Sequence, residues 1–169
     1  HCALLSGATT HLLPRFDVLV AKYVRRSPST HYSLGRLGHD FAATVRDEGP
    51  SSSPWLADLA ALEWARAEAF VSVDAPTLAM TALAELNEES FPTARLSASP
   101  SLRLLTPAFD VLPLWRALET GATERPDVPS ANGPVVVWRQ GFQVFHVAIS
   151  VTEGRALSSV LQGLDLPTV

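Results

Sequence analysis

The segment from Pro54 to Val73 constrains the fold more than any other, because it reads Trp-Leu-Ala-Asp-Leu-Ala-Ala-Leu-Glu-Trp-Ala-Arg-Ala-Glu-Ala-Phe after its proline. At about 100° per residue, Trp55, Leu56, Leu59, Leu62 and Phe70 share an arc of about 120° on a helix capped by Ser53, with Pro54 in its first turn. Alanines fill most remaining positions, so neighbours can approach on several sides and the helix reads as central. Glu63 and Arg66 fall inside the apolar arc, where unpaired charges are costly. They form either an internal pin, with Glu63 reaching Arg103 or Arg139, or a polar contact with a partner protein. Trp64, on the opposite Ala-lined side, is either core packing or a docking anchor.

Two helices are expected before this one. Phe16, Leu19, Val20, Tyr23 and Val24 recur at three-to-four spacing after Pro14, which predicts a helix over 14–25. After the turn Ser27-Pro28-Ser29-Thr30 a second helix should run from Ser29 or Thr30 to Arg46, burying Leu34, Leu37, Phe41 and Val45, with Gly35 and Gly38 allowing close approach. Asp47–Ser53 reads as a loop. A short helix is expected around Leu78–Leu86, then an acidic turn, Asn87–Ser90.

Beyond Thr93 the texture changes. Arg95–Ser99 and Leu102–Leu105 look extended, a short helix covers Asp110–Leu118, and Glu119–Gly133 is a polar loop. The sharpest strand signal is Pro134–Arg139, a turn at Gln140-Gly141, and Phe142–Val151, which together make a hairpin rich in β-branched and aromatic residues. Residues 153–163 close the chain as a helix carrying Ala156, Leu157, Val160 and Leu161. The expected class is α+β: a helical N-terminal part followed by a small antiparallel sheet with C-terminal helices. The expected division is a helical domain over 1–74, a connecting segment over 75–92 and an α+β domain over 93–169.

Composition limits what such a chain can do. Its 169 residues, 47% hydrophobic and 18% charged, can bury a substantial core, and no apolar run approaches the roughly 20 residues of a membrane helix. The single cysteine, Cys2, cannot form an internal disulfide, so a reducing cytoplasm is the expected compartment. The start at His1 reads as a trimmed terminus. Residues 11–46 carry Arg15, Lys22, Arg25, Arg26, Arg36 and Arg46 against Asp17 and Asp40, whereas seven basic and fifteen acidic residues follow. Only the N-terminal part could face nucleic acid or an acidic partner, and Arg25 and Arg26 are its candidate contacts; the alternative is a solvated helix end.

Catalytic signatures are absent: the chain has no Gly-rich phosphate loop and no nucleophile elbow. His31 and His39, eight apart, would stand about 12 Å from each other on a helix and about 80° out of register, too far to share a metal. No metal and no cofactor is expected. A binding site is offered by the hairpin instead. If one of its strands is an edge, its backbone can receive an extended peptide by strand addition, with Val144, Phe145, His146, Val147 and Ile149 as the peptide-binding candidates; the alternative is a covered edge.

Several segments together resemble a known family. Leu56-Ala57-Asp58-Leu59-Ala60-Ala61-Leu62-Glu63-Trp64-Ala65 is similar to the L-x-D-x-A-x-L-E-W-A helix of a bacterial family long labelled a DNA-binding domain. Ser27-Pro28-Ser29, Leu34 to Phe41, Ser99 to Leu105, Val111 to Arg116, and Val137-Trp138-Arg139 agree in order and spacing, so the likeness spans about residues 14 to 165. Members resemble the HvfC/BufC-type partners of ribosomal peptide biosynthesis, which have further helical residues ahead of the part corresponding to residues 5–20. These partners are encoded beside, and bind, a TIM-barrel multinuclear iron oxidase that modifies cysteines of precursor peptides. The resemblance implies a non-catalytic subunit that holds the precursor's leader and stabilises the oxidase; the candidate partner contacts, Trp64, Arg66, Arg25 and Arg26, come from the residue pattern alone. It carries over no catalytic residue. A DNA-binding regulator using the basic N-terminal helices is the alternative.

Overall fold

A computed structural model of the chain describes residues 16–27, 38–76, 78–85, 87, 94 and 96–163. The described residues form six helices and one three-stranded antiparallel sheet, an α+β fold with its first helices ahead of the sheet. The helices are α1 (Phe16–Arg26), α2 (Phe41–Glu48), α3 (Leu56–Val71), α4 (Met80–Ala84), α5 (Leu112–Glu119) and α6 (Val151–Leu161); the strands are β1 (Arg103–Leu105), β2 (Val135–Gln140) and β3 (Gln143–Ala148). Among the described residues no helix is long and apolar enough to cross a membrane.

The chain divides into two compact units that interleave in sequence. The first takes residues 1–68 and 107–131, the second 69–106 and 132–169. These units are drawn differently from the division expected at 74 and 92: 107–131, with α5, groups with the N-terminal helices. The reason is a buried carboxylate. Asp58, in the first turn of α3, accepts hydrogen bonds from the backbone N–H groups of Ala108 (2.9 Å) and Phe109 (3.0 Å), which binds the stretch ahead of α5 to this helix.

In the first unit α1 buries Leu19 and Tyr23 against Phe41 and Val45 of α2 and Leu56, Ala57 and Ala60 of α3. Phe41 is the hub, with Tyr23 edge-on to its ring at 5.6 Å and Phe16 at 5.7 Å. Leu56, Leu59 and Leu62 are withdrawn from water, each contributing about 1.5–3 kcal/mol of apolar transfer. Two members of the expected faces do not join them. Val24 is 41% and Phe70 54% exposed, because α1 is held through the i, i+4 pair Leu19 and Tyr23 and the far end of α3 is buried through Ala69.

Helix α2 is shorter than its pattern suggests. A turn at Gly38–Asp40, closed by Phe41 N–H to Gly38 O at 3.0 Å, makes Phe41 the first helical residue, and helix continues past Arg46 to Glu48. Phe41 and Val45 are buried as expected, while Leu34, Gly35 and Leu37 lie outside the described residues. On the surface Glu48 accepts from Lys22 at 2.6 Å and also from Arg26. The Lys22 hydrogen bond, followed by the charges of Lys22 and Arg26, holds the Glu48 carboxyl below its ordinary value. This clasp between α1 and α2 is complete at neutral pH and is lost as pH falls through that lowered value.

In the second unit the strand order is β1-β2-β3, with β2 in the middle burying Val135, Val136 and Val137. Register runs from Val135↔Ala148 to Gln140↔Gln143, so the loop is Gly141-Phe142, one residue later than the expected Gln140-Gly141. A two-residue primed turn needs positive φ at its first position, and Gly141 supplies it at +59°. Of the expected extended stretch 95–99, residues 96–99 form no strand.

The hairpin ends earlier and the last helix begins earlier than expected, for one reason. Ser150 Oγ accepts from Glu153 N–H while the Ser150 backbone N–H donates to Glu153 Oε2 at 2.8 Å, a capping box that starts α6 at Val151. Helix α6 presses on Pro134 through Gly154, where an added Cβ would stand 2.5 Å from Pro134 Cγ. Glycine inside a helix ordinarily gains stability on replacement by alanine; here the proline ring blocks it. Gly154→Ala is therefore expected to destabilise the protein by about 1–3 kcal/mol, read as a lower midpoint in thermal unfolding, and a raised midpoint would contradict this packing.

Candidate functional site

The antiparallel register sorts the five peptide-binding candidates onto opposite faces of the hairpin. Because Gln140 and Gln143 close a two-residue loop, hydrogen-bonded pairs recur at Trp138↔Phe145 and Val136↔Val147, and the Ile149 N–H donation to Pro134 O at 2.9 Å keeps that phase. Phe145 and Val147 share one face with Trp138. They are exposed at 38% and 45%, and the Phe145 ring stacks on Trp138 at 5.5 Å. Val144 and His146 lie on the other face and are half-buried. Strand β3 is the outer strand of the described sheet, and Val144 and His146 on it have further interactions within the chain. Ile149 follows β3 and is half-buried.

Beside Trp138 the second unit holds a groove of about 640 Å³. It is lined by the stretch Val73–Pro76 with Leu78, by Ser97–Ser101 and by Trp138 to Gly141. Among the described residues no backbone–backbone hydrogen bond ties 73–76 or Ser97 and Ala98 to another segment. Ser101 is buried, and its Oγ receives the Arg139 backbone N–H at 3.2 Å, which fixes the groove floor to β2.

Arg139 is the residue on which this arrangement turns. Its Nε donates to Ala69 O at 3.2 Å, Nη2 to Ser72 O at 2.7 Å and to Asp74 Oδ1 at 2.8 Å, and Nη1 to Gly141 O at 2.9 Å. One guanidinium thus joins the C-terminal end of α3, where a cation is favoured, to the hairpin turn. The sequence motif Val137-Trp138-Arg139 marks the position without revealing this role, since three of its four partners are backbone carbonyls that no side-chain pattern reports.

The partner-contact candidates sit in the first unit. Trp64 is 7% exposed, and among the described residues its indole Nε1–H meets no hydrogen-bond partner. Arg66 lies over the Trp115 ring at 4.1 Å from its centroid, a cation–π contact. Burial pushes the Arg66 guanidinium down from its ordinary value, while Glu119 and then Glu63 pull it back up. Glu63 is buried, as its place on the arc predicts. Arg26 is committed to Glu48, and Arg25 is exposed at the end of α1. His39 stands 3.3 Å from Glu68. Among the described residues no group of three His, Cys, Asp or Glu side chains could hold a metal ion.

The chain matches no known family model, and no curated protein matches it.

If Arg139 is what gives the groove its walls, Arg139→Lys should loosen them, because an ammonium cannot span the same carbonyls as a planar fork. The expected loss is about 1–3 kcal/mol of stability, with faster amide exchange at Gly141 and in 72–76. Unchanged exchange in both segments would contradict the role assigned to Arg139.

Proposed function

We propose that the chain is a binding subunit without chemistry of its own, which holds a precursor peptide for a multinuclear iron oxidase, as the HvfC/BufC-type resemblance implies. The observation that supports peptide binding is the apolar face on which exposed Phe145 and Val147 flank half-buried Trp138, standing next to a groove of about 640 Å³. Exposed aromatic and β-branched side chains beside a concave polar-and-apolar channel are the usual materials of a peptide site. Affinity would come from side-chain contacts on this face and in the groove.

The DNA-binding alternative has less to support it. Lys22 and Arg26, two of the cations it would use, share the one carboxylate of Glu48, so the three groups together keep a single positive charge, and phosphate binding rests on cations free to displace counterions.

The test is calorimetry of the full chain with the cysteine-containing precursor encoded beside it, in the presence and absence of the neighbouring oxidase. Phe145→Asp and Val147→Asp are expected to weaken precursor binding about tenfold or more, since each places a charge on an apolar contact, while leaving cooperative unfolding intact at these exposed positions. Undiminished binding by both variants would contradict the site. A salt-resistant complex with duplex DNA would contradict the function.

A further inference from the structure

The Arg139–Asp74 pair is lopsided. The arginine side chain is 11% exposed and the aspartate 93% exposed, yet they meet at 2.8 Å in the wall of the groove. The carbonyls of Ala69, Ser72 and Gly141 hold the guanidinium in place, but they are dipoles and leave its charge uncompensated. Asp74 supplies the compensating charge from the extended stretch 73–76, which no backbone–backbone hydrogen bond anchors elsewhere among the described residues. An ion pair with one member wholly in water contributes little and is readily exchanged. A fixed arginine, only 11% exposed but open to the groove, is by contrast a carboxylate receptor whose donors are already oriented.

We propose that the groove selects extended peptide segments carrying an aspartate or glutamate, whose carboxylate takes the place of Asp74 on Arg139. This rests on the peptide-binding reading above and adds a specificity to it. Asp74 then acts as a resident competitor: it keeps Arg139 compensated in the empty groove and is displaced by a ligand that brings further contacts with Trp138 and Leu78. Removing the Asp74 charge should therefore strengthen binding of an acidic ligand, the opposite of what removing a ligand contact would do.

A random twelve-residue peptide library displayed on phage and panned on the full chain supplies the probe, followed by fluorescence anisotropy of an enriched peptide and its glutamine counterpart. The enriched peptides are expected to share an acidic position, and the glutamine counterpart should bind about tenfold more weakly. Asp74→Asn should bind the acidic peptide about three- to fivefold more tightly and the glutamine counterpart unchanged. Enriched peptides with no shared acidic position, or an Asp74→Asn variant that gains nothing, would overturn this inference and leave peptide binding standing. Failure to enrich any peptide over an unrelated control protein would overturn peptide binding itself.

Discussion

The candidate site depends on how one guanidinium is satisfied. Arg139 leaves the central strand and binds two carbonyls at the end of α3 and one in the hairpin turn. A helix end leaves its last carbonyls without partners, and a two-residue hairpin turn exposes its own; a single planar fork meets both needs. Without it the stretch 72–76 and the Gly141 turn would have no common anchor among the described contacts. The groove exists because these two segments are held by the same side chain, with Ser101 Oγ fixing the Arg139 backbone from the third side.

The first unit is organised by a comparable economy around a carboxylate. Asp58 accepts two backbone N–H groups from the stretch leading into α5, and Arg46 stands 3.6 Å from its other oxygen. A buried acid that satisfies two amides is stabilised by them, so the position tolerates little change. Nearby Arg66, drawn over Trp115 and pulled by Glu119 and Glu63, takes up the charge that the apolar arc of α3 would otherwise expose uncompensated. These residues hold the unit together; the apolar surface open to water beside the groove belongs to the second unit, on the hairpin and at Val73 and Leu78.

The parts of the fold legible from sequence were those written in side-chain periodicity. Leu56, Leu59 and Leu62 on α3, Phe41 and Val45 on α2, and the valines of β2 all sit where spacing puts them. What was illegible depends on backbone groups or on distant partners. The Gly38–Asp40 turn cuts α2 although the apolar spacing runs through it, and the residues joining α5 to α3 do so through Asp58 and two amide protons. The capping box Ser150-Val151-Thr152-Glu153 was readable, but its strand-like neighbours Ile149 and Val151 obscured it. For the site, β-propensity names Val144, Phe145, His146, Val147 and Ile149 together; alternation puts them on two faces, but which face also carries Trp138 follows from the cross-strand register. Arg139 was noticed only as a motif residue and as a possible partner of Glu63.

We propose that an extended peptide lies on the second unit, along the groove and the face of the hairpin that carries Phe145 and Val147. Amide hydrogen exchange of the full chain, with and without a peptide selected by it, tests this most directly. The account predicts added protection in 73–76, in 97–101 and from Trp138 to Val147, with α1 and α2 unchanged. Protection confined to 16–26 and 41–48, or spread over neither set, would contradict it.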